Sequence, residues 1–520
     1  MEGVDGYVVR VECSLRNGLH KFGIVGLPDR GISEAKDRIQ SALISSGIEF
    51  PYGNITINLS PAYRHKTGSH FDLPIAASII LCLDSQKKVK LGLDKTVFLG
   101  ELGLDGEVKY SKGLHTMIIE AKRLGFKNIV IPDIPGRIPA LYKGLTIFTL
   151  SRLNSLLDIV YTGKQRHSKH SSLQHNSESG NKLGPSESRK MSRDSTDLSM
   201  KVKILFSRAY ELRVLAIAAV GGHNLLLDGP PGSGKSTLLE SFPCLLPDLS
   251  ESELLEVYKI HSLNGESDVF ETMRPPLRTP HHSSSNVSIM GGGTDPTPGE
   301  VSLAHRGVLF LDEVAEFKRE LLESLRQPLV DGVVQISRAN YKVKFPALFQ
   351  LLATRNPCPC GWDGEREGRC TCSLLQKFKY QNKLSGPLLD RIDIKHRLPQ
   401  KLKPDLKLIQ SRDLISEYQV LREQISNSRA IQLERFRKLS SEGTVLNSQY
   451  KDSLDWTPLL LSKDAKKYTQ LLFTDQSITM RKAFKVLKLA RSIADYENST
   501  LLKQTHLDEA LNLNYYDAHS

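Results

Sequence analysis

Apolar and polar residues alternate along the first third of the chain in the periods of short strands and amphipathic helices. Strict alternation predicts strands, and apolar residues at helical spacing that end at a glycine predict helices. The predicted strands are Val8–Glu12, Ile55–Leu59 and Asn128–Ile131, and the predicted helices are Glu34–Ser46, Leu73–Leu83 and Lys109–Leu124. This order predicts a mixed α/β domain.

Beyond residue 200 the apolar pattern predicts a helix, three buried strands and then a helical region. The helix is Leu212–Val220, and the strands are Leu225–Leu227, Gly307–Leu311 and Ala347–Thr354. From Leu402 the pattern is helical, with an apolar stripe over Ala483–Ala494. The polar face of that stripe carries basic residues that we expect to be solvated: Lys482, Lys485, Lys488 and Arg491.

Composition changes between residues 163 and 199, which are rich in Ser, His, Lys and Arg and nearly free of apolar side chains. Such a segment buries too little surface to offset its ordering entropy, so we expect a disordered tether. Its basic residues either form a solvated spacer or add weak affinity for phosphate. The predicted domains are therefore residues 1–162, 200–400 and 401–520.

The net charge indicates which partners the protein binds, and the composition indicates its cellular compartment. The chain of 520 residues carries a net charge of +12 and has a pI near 9.2. This charge favours a polyanionic partner, although a merely soluble basic protein has the same balance. No apolar run approaches the roughly 18 residues that span a membrane, and the start does not resemble a signal peptide. Four of the seven cysteines are clustered, which does not suggest a secreted disulfide scaffold, so we expect a cytoplasmic protein.

A phosphate-binding loop lies between the strand Leu225–Leu227 and a following helical pattern. The sequence GPPGSGKST matches G-x-x-x-x-G-K-[ST], whose backbone N–H groups wrap a phosphate chain. A Gly/Pro-rich turn could match by chance, but the flanking strand and helix favour a nucleoside triphosphate site. The residues predicted to bind it are Gly229, Pro230, Pro231, Gly232, Ser233, Gly234, Lys235, Ser236 and Thr237.

Two carboxylates follow the second buried strand. Asp312 is predicted to hold Mg²⁺ together with the Ser236 hydroxyl, and Glu313 to polarise the attacking water. A hydrophobic strand that ends in Asp-Glu is common by chance, yet the loop upstream favours a functional role for this one. The sequence therefore predicts Mg²⁺-dependent hydrolysis of a nucleoside triphosphate.

Residues 332–345 alternate like two strands around Arg338-Ala339-Asn340. The basic and aromatic side chains of this hairpin are types that hold a nucleic-acid backbone: Arg338, Tyr341, Lys342 and Lys344. We expect contact with single-stranded or branched DNA. The alternative is an exposed hairpin with solubilising charges.

Four cysteines form two close pairs, Cys358 with Cys360 and Cys370 with Cys372. Four thiolates can close a tetrahedral structural Zn²⁺ site that leaves no open position for catalysis. The C-x-C spacing is tighter than the usual C-x₂-C. A reduced loop without metal is therefore the alternative.

Several segments resemble the ComM/YifB group of magnesium-chelatase-like AAA+ ATPases. In the first domain these are GIVGLPDRGISEAKDRIQSALISSGIEFP, ITINLSPA, KTGSHFDLPIA and LGELGLDGEV. The resemblance implies a degenerate Lon-protease-like α/β N-terminal domain, a P-loop AAA+ α/β domain and a C-terminal helical lid. In the frame of the Lon-type serine–lysine dyad, His70 and His115 take the two catalytic positions, so peptidase activity is not expected.

The same resemblance assigns three more residues to ATP hydrolysis. It implies that Asn356 is a polar sensor and that Arg391 is an arginine finger acting on the neighbouring subunit, with Arg481 as a second sensor. A finger supplied in trans requires a homo-oligomer, here a hexameric ring.

ComM-like members are associated with branch migration of DNA during transformation, which makes a DNA motor the first hypothesis. The second is a chelatase-like or chaperone-like remodeller of a protein partner. The third, disfavoured by the two histidines, is an ATP-dependent peptidase.

Overall fold

The computed structural model describes residues 3–84, 86–133, 142–163, 197–266, 273–293, 296–338, 341–364, 369–399, 413–437, 446–451, 457–474 and 478–514. The chain forms two compact units. Unit 1 comprises Met1–Gly180 and Leu254–Thr272, and unit 2 comprises Asn181–Glu253 and Met273–Ser520. Most of the expected tether, residues 164–196, lies outside the described residues. The described helices include none that is long and apolar enough to cross a membrane.

Unit 1 contains two three-stranded sheets and a short hairpin. In the first sheet β3 lies between its neighbours, antiparallel to β1 and parallel to β2. In the second, β7 is parallel to both β4 and β8. The strands are β1 (Arg10–Arg16), β2 (Lys21–Val25), β3 (Asn54–Ser60), β4 (Thr96–Phe98), the hairpin pair β5 (Glu101–Leu102) and β6 (Val108–Lys109), β7 (Asn128–Pro132) and β8 (Thr146–Leu150).

The helices of unit 1 confirm most of the predicted ones. They are α1 (Arg30–Ser45), α2 (Asp72–Leu83), α3 (Leu114–Arg123) and α4 (Ser155–Thr162). Helix α1 begins one turn before the predicted Glu34 because the Asp29 carboxylate caps it, accepting from Ile32 N over 2.7 Å. The predicted helix Lys109–Leu124 is wrong in its first turn, since Gly113 has a left-handed φ of 78° and Lys109 pairs with β5.

Unit 2 is organised around a five-stranded parallel sheet. The strands follow the order β10-β13-β16-β9-β17. The strand before the phosphate-binding loop, β9, therefore lies between β16 and β17. Along the chain, the antiparallel hairpin β11–β12 lies between β10 and β13, and the hairpin β14–β15 lies between β13 and β16. The strands are β9 (Leu225–Asp228), β10 (Leu277–Arg278), β11 (Gly291–Gly292), β12 (Thr297–Pro298), β13 (Val308–Leu311), β14 (Val333–Arg338), β15 (Tyr341–Pro346), β16 (Gln350–Arg355) and β17 (Ile394–Arg397).

The C-terminal helices of unit 2 share one hydrophobic core with the sheet. Leu225, Val308 and Leu352 of the sheet pack in the same cluster as Leu487 and Ile493. The helices that begin after residue 200 are α5 (Ala209–Gly221), α6 (Lys235–Ser241), α7 (Glu251–Asn264), α8 (Asn286–Met290), α9 (Glu300–Leu303), α10 (Arg319–Ser324), α11 (Pro328–Asp331), α12 (Leu374–Gln381), α13 (Gly386–Leu389), α14 (Leu414–Arg437), α15 (Lys463–Thr474), α16 (Met480–Tyr496) and α17 (Gln504–Asn514). The C-terminal ones are α14 to α17. The α/β class with C-terminal helices is therefore confirmed.

Helix α7 begins in unit 2, and from Leu254 onward its residues belong to unit 1. Tyr258 is fully buried in the core that also contains Leu114 and Ile118 of α3. The Thr116 hydroxyl donates to the carbonyl oxygen of Lys259 over 2.8 Å, and the Lys259 ammonium pairs with Glu120. Unit 1 is thus completed by a segment that lies far along the chain.

The expectation that the basic residues of α16 are solvated is wrong for three of them. Lys488 is partly buried and donates to the carbonyls of Ser448 and Tyr450 over 2.6 and 3.4 Å. Lys485 is 9% exposed and donates to the carbonyl of Ile392 over 3.2 Å. Arg491 is fully buried and bonds Asp495 Oδ1 over 3.0 Å and Ser499 O over 2.6 Å. Carbonyl and carboxylate partners compensate the buried charge.

Candidate nucleotide-binding site

The predicted phosphate-binding loop joins β9 to the N-terminus of α6. Gly232 and Gly234 have left-handed φ values of 75° and 80°, which an L side chain rarely adopts, so the loop turns at both glycines. A turn of this kind directs successive N–H groups to one side, where the start of a helix adds partial positive charge. The local geometry is that of an anion cradle.

Lys235 lies at the first position of α6 and is mostly buried. Its Nζ donates to the carbonyls of Gly229 and Pro230 over 2.7 and 2.9 Å, and to Asn356 Oδ1 over 3.1 Å. Burial lowers the pKa of Lys235, and the carboxylates of Asp228, Asp312 and Glu313 partly offset this. The predicted sensor and the predicted phosphate-binding lysine are therefore in direct contact.

Asp312 follows β13 and is linked to the loop and to the neighbouring strand. Its Oδ1 accepts from Ser236 Oγ over 2.8 Å and from Thr354 Oγ1 over 2.5 Å. The Thr354 hydroxyl in turn accepts from the backbone N–H of Glu313 over 2.8 Å. Glu313 has a left-handed φ of 50° and an exposed side chain. Because Thr354 is fully buried, its two hydrogen bonds fix the positions of Asp312 and Glu313.

The pair Ser236 and Asp312 fits a magnesium ion. Octahedral Mg²⁺ with oxygen ligands at 2.0–2.1 Å places adjacent oxygens about 2.9 Å apart. The two side-chain oxygens are separated by 2.8 Å. One hydroxyl and one carboxylate would leave the remaining positions to water and phosphate oxygens, the arrangement that Mg²⁺ favours at nucleotide sites.

Two residues at this site were not singled out from the sequence. Arg355 forms a buried ion pair with Asp228, with Nη2 and Nε 2.5 and 2.9 Å from Asp228 Oδ2. Arg208 donates from Nη1 to the carbonyl of Ser233 over 2.7 Å, and a Cβ at Gly234 would lie 2.8 Å from its Nη2. Arg355 follows the apolar strand directly, which was an available signal. Arg208 lies 25 residues before Ser233, and no local pattern connects it with the loop.

The hydrogen bonds of Lys235 described above include neither Arg391 nor Arg481. Arg391 donates from Nε to the carbonyl of Arg326 over 3.0 Å and from Nη1 to that of Pro387 over 2.5 Å. Burial lowers the pKa of Arg391, and the positive charges of Arg326 and Arg481 lower it further. The two predicted arginines are thus electrostatic neighbours, and Arg391 lines a groove of about 770 Å³ along α10, α11 and β14.

The predicted hairpin is confirmed as β14 and β15, and Arg338 pairs with Tyr341 at its tip. Lys342 and Lys344 are exposed, while Val343 between them and Phe345 after them are buried. The residues opposite the lysines, Ser337 and Gln335, are also exposed, so these four residues form one polar face.

The four clustered cysteines lie together after Asn356, the predicted sensor. Their sulfur atoms are all within 4.8 Å of one another, and the Cys358–Cys360, Cys358–Cys370 and Cys360–Cys370 separations are 3.3, 3.7 and 3.6 Å. Tetrahedral Zn²⁺ with sulfur ligands at 2.3 Å separates its sulfurs by about 3.8 Å. The donor set and its spacing therefore fit one tetrahedral ion.

The surroundings of the cysteines favour thiolate at one position. Burial raises the pKa of Cys358 to about 12. Burial also acts to raise that of Cys360, but hydrogen bonds from the Trp362 backbone and the neighbouring thiols lower it to about 6. Backbone N–H groups aimed at sulfur are common around metal-bound cysteines, because they stabilise the thiolate.

Comparison with known proteins decides the family. Models described as "Subunit ChlI of Mg-chelatase", "Magnesium chelatase, subunit ChlI" and "Magnesium chelatase, subunit ChlI C-terminal" match residues 11–134, 205–406 and 416–514. "Competence protein ComM" of Haemophilus influenzae is 36% identical over 512 residues, covering 98% of this chain and 95% of the relative. The chain belongs to the magnesium-chelatase-like AAA+ family.

Two further relatives show how the similarity is distributed within the magnesium-chelatase-like family. "Uncharacterized protein YifB" of Escherichia coli is 35% identical over 518 residues, 99% of this chain and 96% of the relative. "Magnesium-chelatase subunit ChlI" of Trieres chinensis is 26% identical over 182 residues, 31% of this chain and 49% of the relative. The resemblance to the ComM/YifB group is thus confirmed, and membership of this AAA+ family implies ATP and Mg²⁺ as ligands.

The N-terminal unit of this magnesium-chelatase-like chain holds two histidines at the positions aligned with the Lon dyad. Half-buried His70 packs on Phe71 with ring centroids 4.4 Å apart, and burial lowers its pKa to about 3. His115 is buried, shares a hydrogen bond with the Tyr142 hydroxyl, and lies 4.9 Å from the Tyr258 ring. Burial lowers the pKa of His115 to about 4. His115 contributes to the packing of α7 against α3.

Proposed function

We propose that this AAA+ ATPase is a DNA-remodelling motor that couples Mg²⁺-dependent ATP hydrolysis to movement of single-stranded or branched DNA. Lys235 and Ser236 would hold the phosphates and Mg²⁺, Asp312 would complete the metal ligands, and Glu313 would polarise the attacking water. The printed name of the Haemophilus influenzae relative, a competence protein, supports a role in DNA transformation or recombination, in the manner of a branch-migration helicase.

The observation that carries the DNA assignment is the polar face of the hairpin. Lys342 and Lys344 are both exposed and alternate with buried residues, so the backbone fixes both ammonium groups on one side. Two positive charges at a strand spacing of about 7 Å suit a sugar–phosphate backbone. The net charge of +12 supports the same partner.

The proposed motor acts as a homo-oligomer, with a hexamer as the expected ring. Arg391 and Arg481 are neighbours of each other, and Arg391 is held by carbonyls of its own unit. An arginine that stabilises the γ-phosphate from outside the loop is supplied most simply by the adjacent copy. We assign both arginines to the nucleotide of a neighbouring subunit.

We also propose that Cys358, Cys360, Cys370 and Cys372 hold a structural Zn²⁺. The mutual distances of the four sulfurs support this assignment. The ion would have no open coordination position and no part in hydrolysis.

A second candidate is a remodeller of protein partners, which a feature of unit 1 favours. Leu19 and Tyr52 are 93% and 98% exposed, and their segments are joined by the hydrogen bond from Lys21 N to Gly53 O over 3.1 Å. Large exposed apolar side chains that lie together are typical of protein-docking surfaces.

The deciding experiment is the steady-state ATPase rate of the full chain with and without single-stranded and forked DNA. Stimulation by DNA that disappears in Glu313→Gln supports the motor. A basal ATPase rate that does not change with DNA overturns the motor proposal. Stimulation by a protein partner alone would then support the second candidate. Cleavage of peptide substrate would instead support an ATP-dependent peptidase.

A further inference from the structure

The loop that carries the four cysteines packs directly on the phosphate-binding loop. Gly361 lies between the two cysteine pairs and has a left-handed φ of 81°. A Cβ built on it would lie 2.5 Å from Cδ and 2.6 Å from Cγ of Pro231, well inside van der Waals contact. The glycine therefore permits a close approach of backbone to Pro231 that another residue would block.

The same loop is also tied to the sheet beside the phosphate-binding strand. The Asp363 carbonyl accepts from Arg397 Nη2 over 2.6 Å, and the Asp363 carboxylate pairs with Lys377 over 2.5 Å. Arg397 ends β17 and is paired in register with Asp228, the last residue of β9. The cysteine loop thus contacts both the phosphate-binding loop and the strand next to the one that leads into it.

A third connection runs through the chain itself. Asn356, which accepts from Lys235 Nζ over 3.1 Å, precedes Cys358 by two residues. Cys358 is fully buried, and its carbonyl accepts from Gly361 N over 2.9 Å, which closes a tight turn. Whatever fixes the Cys358 sulfur therefore also restricts the backbone that carries the Asn356 amide.

We propose that a Zn²⁺ ion bound by the four cysteines holds one wall of the nucleotide site and so sets its affinity for ATP and ADP. The inference rests on the zinc and ATP assignments made above. Without an ion no bond joins the four sulfurs, whereas a bound ion links the chain at four points. With the ion bound, Gly361 is held against Pro231, and Asn356 is held against Lys235.

The test is nucleotide affinity as a function of zinc, measured on the full wild-type chain without DNA. Zinc content is determined by elemental analysis, and affinity is measured with a fluorescent ADP analogue in saturating Mg²⁺. Removing zinc with a chelator selective for transition metals should weaken nucleotide binding by about tenfold or more, which corresponds to about 1.4 kcal/mol. Adding Zn²⁺ back should restore it.

Two variants with matched controls separate the ion from the contact that it supports. Cys370→Ser should lose zinc and bind nucleotide as weakly as the zinc-free wild type, whereas Cys82→Ser, outside the cluster, should change neither. Gly361→Ala should retain zinc and still bind nucleotide more weakly, because its Cβ displaces Pro231. Gly265→Ala is its control, with a φ of 83° and no atom of a described residue within 4 Å of the added Cβ.

The outcomes distinguish this inference from the assignments beneath it. Zinc that can be removed and returned without changing nucleotide affinity overturns the inference and leaves the zinc site standing. Absence of zinc from the purified wild type overturns both. Gly361→Ala with full zinc and unchanged affinity also overturns the inference. Stimulation of the ATPase by DNA is not used in any of these measurements, so its failure would not affect them.

Discussion

The Thr354 hydroxyl lies 2.5 Å from Asp312 Oδ1 and 2.8 Å from the backbone nitrogen of Glu313. One buried oxygen thus contacts both residues predicted to bind Mg²⁺ and to orient water. The contact joins the ends of β13 and β16, which are neighbours in the parallel sheet. Polar groups at the carboxyl ends of adjacent parallel strands form the usual binding edge of such sheets.

Replacing Thr354 with valine removes this oxygen and keeps the shape. We expect ATP turnover to fall about 10- to 100-fold with little change in nucleotide affinity, because the carboxylate residues lose their support. Steady-state kinetics and equilibrium nucleotide binding measure the two effects. Thr469→Val is the matched control, since Thr469 is fully buried and its hydroxyl has no hydrogen-bond partner among the described residues. Equal loss in both variants would contradict a specific role for Thr354.

Lys235→Ala should abolish nucleotide binding. Lys235 Nζ lies at the junction of the phosphate-binding loop and Asn356, and its charge would otherwise face the β- and γ-phosphates. Binding of a fluorescent nucleotide should weaken by more than about 100-fold, as expected when a charge-assisted phosphate contact is lost from a buried site. Lys379→Ala, an exposed lysine of α12, should bind normally. Normal turnover of the Lys235 variant would refute the site.

Arg355→Met tests the buried ion pair with Asp228. Side chains of the two residues are 7% and 3% exposed, so the variant leaves a buried carboxylate without its partner. The expected cost to the stability of unit 2 is about 3–5 kcal/mol. Calorimetry of the full chain should show a large downward shift in the transition that responds to added nucleotide. Lys87→Met breaks an exposed pair with Asp84 and should cost less than about 1 kcal/mol.

The stability of unit 1 should fall in mild acid because of His115. Its folded pKa is about 4, and burial is the cause. The unfolded pKa is about 6.5, so the unfolded state binds the proton first. Stability is therefore full above pH 6.5 and is lost as the pH falls from 6.5 to 4, by about 3 kcal/mol.

Among the described residues, the aromatic rings that pack on His115 carry no negative charge that would oppose this loss. Its described ring neighbours are the neutral phenols Tyr110, Tyr142 and Tyr258. Thermal unfolding from pH 7 to pH 4 measures the effect in the full chain. His115→Gln, which cannot take up a proton, should show a flatter pH profile; an unchanged profile would exclude His115 as the cause.

The double variant Lys342→Ala with Lys344→Ala should weaken DNA binding and reduce its dependence on salt. Each lost phosphate contact lowers the slope of log affinity against log salt by about 0.7–0.9. Titrations at several salt concentrations should therefore give a slope smaller by up to about 2. Lys87→Ala with Lys88→Ala removes the same charge from exposed positions of unit 1 and should leave the slope unchanged. A full slope in the hairpin variant would remove the hairpin from the DNA interface.

Local patterns predicted those features whose causes are local. The strand before Gly229, the strand before Asp312 and the hairpin were found because periodicity and turn residues lie within a few positions of one another. Helix α3 was extended too far because the turn at Gly113 resembled part of the apolar pattern. Contacts between distant segments gave no such signal.

Burial of polar side chains shows why distance in sequence matters. On periodicity alone Arg491 lies on a polar face, but carbonyls of Leu459, Ser499 and Thr500 surround its guanidinium. The contact of Gly361 with Pro231 spans 130 residues and depends on the turn between the cysteines. Neither can be derived from the residues nearby.

Because α7 from Leu254 onward belongs to unit 1, the N-terminal third of the chain is not an excisable module. A fragment that stops at Gly163 would lack Tyr258 and Lys259, leaving the pocket around His115 and the acceptor Glu120 open to water. We expect such a fragment to aggregate or to bind apolar dyes. Adding a separate peptide of residues 251–266 should restore a compact fold, so the domain can be reconstituted from two pieces, as in protein-fragment complementation.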